Sequence, residues 1–184
     1  MRLPHIADVA VKAIESSVRP SKRPAMPREP GGTEPVYADS LDLDDERVLL
    51  ISLKPQYADA ILDGTKTVEL RRTRPTLPDG ALVLLYSSTP TRAVVGWAQL
   101  MGVQEGTPAE IWHSIGDAAA IDVETFDAYF EGAESAYALE LDAVVEATQP
   151  VPLSVIRSIG VQPPQSWRYL PLHLSHQIQA TALG

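Results

Sequence analysis

Residues 48–72 read VLLISLKPQYADAILDGTKTVELRR, and this stretch decides the fold of the chain. Its first six residues are apolar apart from one serine, which is typical of a buried β-strand. The middle has apolar residues at helical spacing, with Pro55 suited to the first turn and Gly64 to the position after the last turn. At the end, from Lys66 to Thr73, apolar and charged side chains alternate, as they do in a strand. The stretch therefore predicts a strand, a short helix and a second strand.

The second strand carries more charge than a strand that covers a core would need. Glu69 and Arg71 share one face, about 7 Å apart along the strand, and the apolar residues beside them share the other face. Lys66 lies in the turn, so the alternation does not determine its face. Two interpretations fit this pattern. One is an edge strand with local ion pairs in solvent, and the other is a polar site in which arginine binds phosphate or carboxylate.

The rest of the chain adds strands and short helices around this stretch. Residues 77–88 predict a turn and a hydrophobic strand, and residues 92–106 predict a long strand in which Gly96 marks a bulge or a close approach. Thr107 and Glu110 form a capping box before one short helix. Asp122 caps a second helix, and residues 136–148 predict another strand.

This order of elements predicts an α+β domain built on a small mixed β-barrel with flanking short helices. We expect the domain to span residues 48–171. Residues 1–47 are predicted to be an N-terminal tail, a short helix followed by a proline-rich linker. Residues 172–184 are predicted to be a C-terminal tail.

Composition narrows the possible functions. The net charge of −9 argues against a protein that coats duplex nucleic acid. Basic residues concentrate in residues 54–92, whereas residues 105–146 hold eleven acidic residues and no basic one. The absence of cysteine excludes disulfides and thiolate metal sites and is compatible with a cytoplasmic protein. No membrane span, phosphate-binding glycine loop or metal-ligand pattern is present, so we expect neither membrane nor cofactor binding.

Three further positions could contact a ligand. Lys54 precedes the first helix, whose N-terminus supplies free amide donors. Ser88 lies in YSSTP (residues 86–90), where small hydroxyl groups either line a pocket or form a turn. Trp167, in PPQSWRYL (residues 163–170), either stacks on a base or fills the core.

Several of these stretches, in this order, resemble the ASCH domain family of the PUA-like superfamily. The stretches that carry the resemblance are residues 49–75, 83–100, 108–114, 126–141 and 163–170. The resemblance covers roughly residues 48–171 and is closest to the branch described as predicted transcriptional regulators or RNA-binding proteins. It implies a PUA-like β-barrel, a cleft beside the first helix, and binding of RNA or nucleotides.

The family motif G-x-K-x-x-E-x-R falls on Gly64, Lys66, Glu69 and Arg71. Some members of the family are enzymes: one bacterial subgroup hydrolyses N4-acetylcytidine, and ribonuclease activity occurs in another. The amidohydrolases use a lysine that matches Lys66 and a threonine where this chain has Glu69. They also use a later glutamate, for which Glu110 and Glu124 are the nearest candidates.

The residues and the resemblance together predict an RNA- or nucleotide-binding module. Its predicted ligand-binding residues are Lys54, Lys66, Glu69, Arg71, Arg72, Ser88 and Trp167. One alternative is a hydrolase acting on RNA or a modified nucleoside, in which Lys66 and Glu69 transfer protons. The other is a protein-interaction module that docks a basic partner through residues 1–47 or 105–146.

Overall fold

The stretch that opens the domain folds as the sequence predicts. The computed structural model describes residues 47–184. Its first elements are β1 (Arg47–Leu53), α1 (Pro55–Leu62) and β2 (Val68–Arg71). After α1, Gly64 has φ +80°, a left-handed conformation in which a β-carbon would be strained. The predicted N-terminal tail lies outside the described residues, except Arg47, which begins β1.

The later elements follow the predicted order as far as the strand predicted at residues 136–148, after which come a helix, a strand and a C-terminal helix. They are β3 (Leu82–Ser87), β4 (Ala93–Gly106), α2 (Pro108–Ile115), a 3₁₀ turn (Gly116–Ala119), α3 (Val123–Phe130), β5 (Ala136–Pro152), α4 (Leu153–Ser158), β6 (Trp167–Pro171) and α5 (Leu172–Leu183). The capping box is present, because Thr107 Oγ1 accepts from the Glu110 amide while the Glu110 carboxylate accepts from the Thr107 amide. Asp122 caps α3 by accepting from the Thr125 amide. The predicted starts of α2 and α3 are therefore confirmed.

The six strands form one mixed sheet in the order β2-β5-β4-β3-β1-β6. Strands β1 and β3 pair in parallel, and every other neighbouring pair is antiparallel. The α+β class is confirmed, but the strand ladder is not a closed barrel, because β2 and β6 form its two ends. Residues 72–81 follow β2 and contain Pro75 and Pro78, which lack the amide hydrogen that a longer strand would need.

Side chains bridge part of the gap between the two ends of the ladder. The Arg71 guanidinium on β2 donates to the carbonyl oxygen of Ser52 on β1 at 3.0 Å. The indole of Trp167 on β6 donates to the Thr73 carbonyl at 3.2 Å and to the Thr73 hydroxyl at 3.0 Å. Hydrogen bonds from side chains therefore join β2 and the residues after it to β1 and β6, where a backbone ladder would close a barrel.

The C-terminal segment is a helix of the domain. Residues 172–184 are predicted as a tail, but α5 buries Ile178 and Ala182 in the same apolar cluster as strands β1, β3 and β4. Burial of its apolar side chains stabilises α5 although its sequence pattern is weak. Among the described residues, no helix is long and apolar enough to span a membrane.

Gly96 is a point of close approach on β4. A β-carbon there would lie 2.5 Å from the Val145 carbonyl oxygen and 2.8 Å from Leu62 Cδ2, a side-chain atom of α1. The pairing of β4 with β5 also shifts register between Val94 and Gly96. The predicted bulge and close approach are both confirmed. This glycine lets α1 pack closely on the sheet and so helps to position the elements that carry the charged residues.

We expect Gly96→Ala to lower the free energy of unfolding by about 1–3 kcal/mol, because the added methyl group displaces backbone as well as side chain. The matched control is Gly102→Ala on the same strand, where the nearest atom to a β-carbon is 3.9 Å away. That control should be close to neutral. Urea unfolding followed by circular dichroism measures both, and equal effects at the two glycines would contradict the close-approach explanation.

Candidate functional site

Three charged side chains near β2 are buried rather than solvated. Lys66, in the turn after α1, is 2% exposed, and Glu69 and Arg71, on β2, are 6% and 5% exposed. Strand β2 lies at an end of the sheet, so the edge-strand interpretation is right about position. It is wrong about environment, because solvent does not surround these charges. We call Lys66, Glu69 and Arg71 the charge triad.

Glu69 lies between the two cations of the charge triad. Its Oε2 is 3.4 Å from Lys66 Nζ, and its Oε1 is 3.0 Å from Arg71 Nη2. Because the charges are removed from water, the positive charge of each cation depends on this carboxylate as its counter-charge. The triad carries a net charge of about +1 when all three groups are ionised.

The two cations also bind backbone and side-chain oxygens from distant parts of the chain. Lys66 Nζ donates to the Ala119 carbonyl at 2.7 Å, at the end of the 3₁₀ turn. Arg71 donates to the Ser52 carbonyl and, at 3.3 Å, to the Ser166 hydroxyl just before β6. The triad therefore links β2 to the segment between α2 and α3 on one side and to β1 and β6 on the other.

Burial lowers the pKa of Lys66 below the ordinary lysine value of 10.5. The Glu69 carboxylate opposes this shift, and the Arg71 charge adds to it. Desolvation is the largest of these effects, so the ammonium of Lys66 loses its proton more easily than a surface lysine. A lysine in this state can act as a hydrogen-bond donor when protonated and as a base when neutral.

The charge triad forms part of the wall of a cavity of about 660 Å³. This volume lies within the range of small-molecule and cofactor sites. Besides the triad, the wall is formed by Ser52, Leu53, Lys54 and Tyr57 from β1, α1 and the residue between them, by Leu70 and Ser88, by Ile121, Glu124, Thr125, Ala128 and Tyr129 from α3 and the residues before it, and by Gln165. We call this space the site cavity.

Five of the seven predicted ligand-binding residues line the site cavity, and two do not. Those that do are Lys54, Lys66, Glu69, Arg71 and Ser88. Arg72 is exposed, and its Nη2 donates to the Glu131 carbonyl at 3.1 Å. Trp167 donates to Thr73 and packs beside Tyr169, with ring centroids 5.2 Å apart. Arg72 comes directly after Arg71, one residue beyond the end of β2.

The sequence missed the two tyrosines of the site cavity, Tyr57 and Tyr129. Tyr57 belongs to the predicted helix with apolar residues at helical spacing, and its half-buried ring lines the cavity, with Lys66 Nζ 5.5 Å from the ring centroid. Of the two glutamates considered on later helices, Glu124 lines the cavity and Glu110 caps α2. No local signal distinguishes these glutamates, because the choice depends on how α2 and α3 pack.

A metal site has no support from side-chain placement. Within residues 47–184, no three histidine or carboxylate side chains cluster in a way that could hold an ion. His173 and His176, the pair at helical spacing, are exposed on α5.

Comparison with known proteins shows which family the chain belongs to. The family model of the ASCH domain matches residues 51–146. Over 131 residues the chain is 34% identical to the ASCH domain-containing ribonuclease of Zymomonas mobilis, a match that covers 70% of this chain and 88% of that protein. The crystal structure of ASCH from Zymomonas mobilis has a TM-score of 0.70 at 32% identity, over 74% of this chain and 96% of that chain.

A further relative matches through part of its length. The large ribosomal subunit protein uL22 of Ureaplasma parvum is 32% identical over 107 residues, which is 58% of this chain and 34% of that protein. The residues matched by the family model include all of the charge triad and most of the wall of the site cavity.

Proposed function

Because the chain belongs to the ASCH domain family, we propose that it is a binding module for single-stranded RNA or a nucleotide, held in the site cavity. The observation that carries this proposal is the convergence of the charge triad, Lys54 and Ser88 on one ligand-sized hollow. The function of the Zymomonas mobilis relative, a ribonuclease, supports RNA as the ligand class.

Four polar side chains of the cavity have roles in this proposal that fit their chemistry. Lys66 donates to an oxygen or ring nitrogen of the ligand, and Glu69 accepts from an amino or hydroxyl group of a base or ribose. Lys54 is exposed beside the start of α1 and contacts a phosphate at the cavity mouth. Ser88 adds a neutral hydroxyl. Arg72 and Trp167 lie outside the cavity wall and are left out of this contact set.

The charge balance favours a short ligand. The whole chain carries a net charge of −9, so a long phosphate backbone would meet repulsion away from the cavity. A single nucleotide, or a single strand of a few nucleotides, carries few phosphates and can still place one base inside the site cavity. No described contact gives comparable support to the docking of a basic protein on residues 105–146.

RNA hydrolysis is the second candidate function, and a specific observation favours it. Lys66 is buried, its pKa is lowered, and it shares the cavity with Glu69 and Glu124, so proton donors and acceptors face the same space. Hydrolysis of a modified nucleoside would use the same side chains, although Glu69 stands where the amidohydrolases have threonine. Incubation with short single-stranded RNA and with N4-acetylcytidine separates these activities from simple binding, since binding alone yields no product.

The binding proposal is tested by the salt dependence of affinity for a ten-nucleotide single-stranded RNA, measured by fluorescence anisotropy. We expect Lys54→Ala to reduce the slope of log affinity against log salt by about 0.7, the value for one lost phosphate contact on a single strand. Arg157→Ala, which removes an exposed cation of α4 outside the cavity wall, is the matched control and should leave the slope unchanged. Binding that is absent, or that does not depend on salt, would refute the proposal.

A further inference from the structure

Helix α3 turns a distinct face toward the site cavity. Phe126 and Phe130 bury one side of the helix in an apolar cluster. Glu124, Thr125, Ala128 and Tyr129 line the cavity from the neighbouring side. Tyr129 is the only aromatic residue on this face, and it is 38% exposed. The cavity wall formed by α3 is thus small or polar except at one accessible ring.

The ring of Tyr129 is held in place before any ligand binds. Its hydroxyl donates to the Leu70 carbonyl at 3.4 Å, and its ring meets Phe130 edge to face, with centroids 4.8 Å apart and an interplanar angle of 76°. Burial raises the pKa of the Tyr129 hydroxyl, so the group remains a donor at neutral pH. A fixed ring offers a flat surface at a small cost in conformational entropy.

The hydroxyl of Tyr129 also fixes the ring relative to the charge triad. Leu70 lies between Glu69 and Arg71 on β2, so the ring is tied to the same strand that carries the carboxylate. Lys66 has a third ammonium hydrogen beyond those directed at Ala119 and Glu69, and the carboxylate of Glu69 can accept further hydrogen bonds. A donor and an acceptor therefore lie side by side in the wall of the cavity that the ring also lines.

We infer that Tyr129 is the stacking surface of the site cavity, and that the ligand enters as a nucleobase with its ring on Tyr129 and its polar edge toward Lys66 and Glu69. A nucleobase combines a flat ring with neighbouring donors and acceptors on its edge, which matches this arrangement. The inference rests on the proposed binding of RNA or a nucleotide and names the part of that ligand which the cavity recognises.

The same reasoning removes Trp167 as the stacking residue. Its indole nitrogen is occupied by Thr73, its ring packs beside Tyr169, and neither ring lines the site cavity. Trp167 and Tyr129 thus provide a direct contrast between an aromatic residue that joins distant segments and one that faces the cavity.

The test uses a ten-nucleotide single-stranded RNA with one 2-aminopurine, whose fluorescence is quenched when the base stacks. We expect quenching on binding to the full chain. Tyr129→Leu should weaken binding about 10- to 100-fold and remove the quenching, since a stacked base loses its aromatic partner. Tyr129→Phe keeps the ring and should bind within about threefold of the wild type, and Trp167→Leu should leave the quenching unchanged.

The outcomes separate this inference from the function on which it rests. RNA that binds Tyr129→Leu as tightly as the wild type overturns the stacking role and leaves RNA binding intact. Equal losses in Tyr129→Phe and Tyr129→Leu assign the effect to the hydroxyl and also overturn it. A wild-type protein that binds no RNA overturns the proposed function and the inference together.

Discussion

Glu69→Gln is expected to lower the free energy of unfolding by about 3–5 kcal/mol, the cost of breaking a buried ion pair by removing one partner. Glu69 is the only carboxylate of the charge triad, and it lies 3.4 Å from Lys66 Nζ and 3.0 Å from Arg71 Nη2. Glutamine would leave two buried cations without a counter-charge. It would also place the NH₂ group of the glutamine side chain against the N–H donors of Lys66 or Arg71. Urea unfolding at neutral pH measures the change.

An exposed ion pair provides the control for this prediction. Arg74 Nη1 and Glu105 Oε2 are 2.7 Å apart, but their side chains are 53% and 45% exposed. Glu105→Gln should therefore cost less than about 1 kcal/mol despite the shorter distance. Adding Lys66→Met to Glu69→Gln should recover part of the lost stability, because one uncompensated charge is then absent. Similar losses from Glu69→Gln and Glu105→Gln would show that burial does not determine the energy of the triad.

Lys66→Met is expected to weaken single-stranded RNA binding about 10- to 150-fold, the equivalent of about 1.5–3 kcal/mol for a hydrogen bond to a charged group. If the chain cleaves RNA, the rate should fall about 10²- to 10⁴-fold, as when a positioned acid or base is lost. Glu69 keeps its contact with Arg71 in this variant, so the fold should persist. Anisotropy and gel analysis of RNA products measure the two effects, and unchanged binding would exclude Lys66 from the site.

The pH dependence of stability tests the state of Lys66 independently of any ligand. Burial lowers its pKa from 10.5 in the folded chain, so between the lowered pKa and 10.5 the unfolded chain binds more protons at this residue. Stability rises with pH wherever the unfolded state binds more protons. The free energy of unfolding of the wild type should therefore rise relative to that of Lys66→Met across this window.

Local sequence signals determined the bounds of α1 and the starts of α2 and α3. Pro55 and Gly64 delimit α1, the capping box of Thr107 begins α2, and the alternation of β2 sets Glu69 and Arg71 on one face. These signals act through hydrogen bonds and backbone conformations within a few residues, so they can be recognised without knowledge of the rest of the chain. The order of the stretches was enough to indicate the family.

Tertiary structure alone decided which distant residues meet. Lys66 binds a carbonyl 53 residues away, and Arg71 binds a hydroxyl 95 residues away, through the packing of the 3₁₀ turn and the placement of β6 beside β1. The same packing places Tyr129 in the cavity, leaves Trp167 outside it and holds the ends of the sheet together through side chains. Contacts of this range depend on strand order and on burial of apolar surface across the whole domain, which no short stretch of sequence encodes.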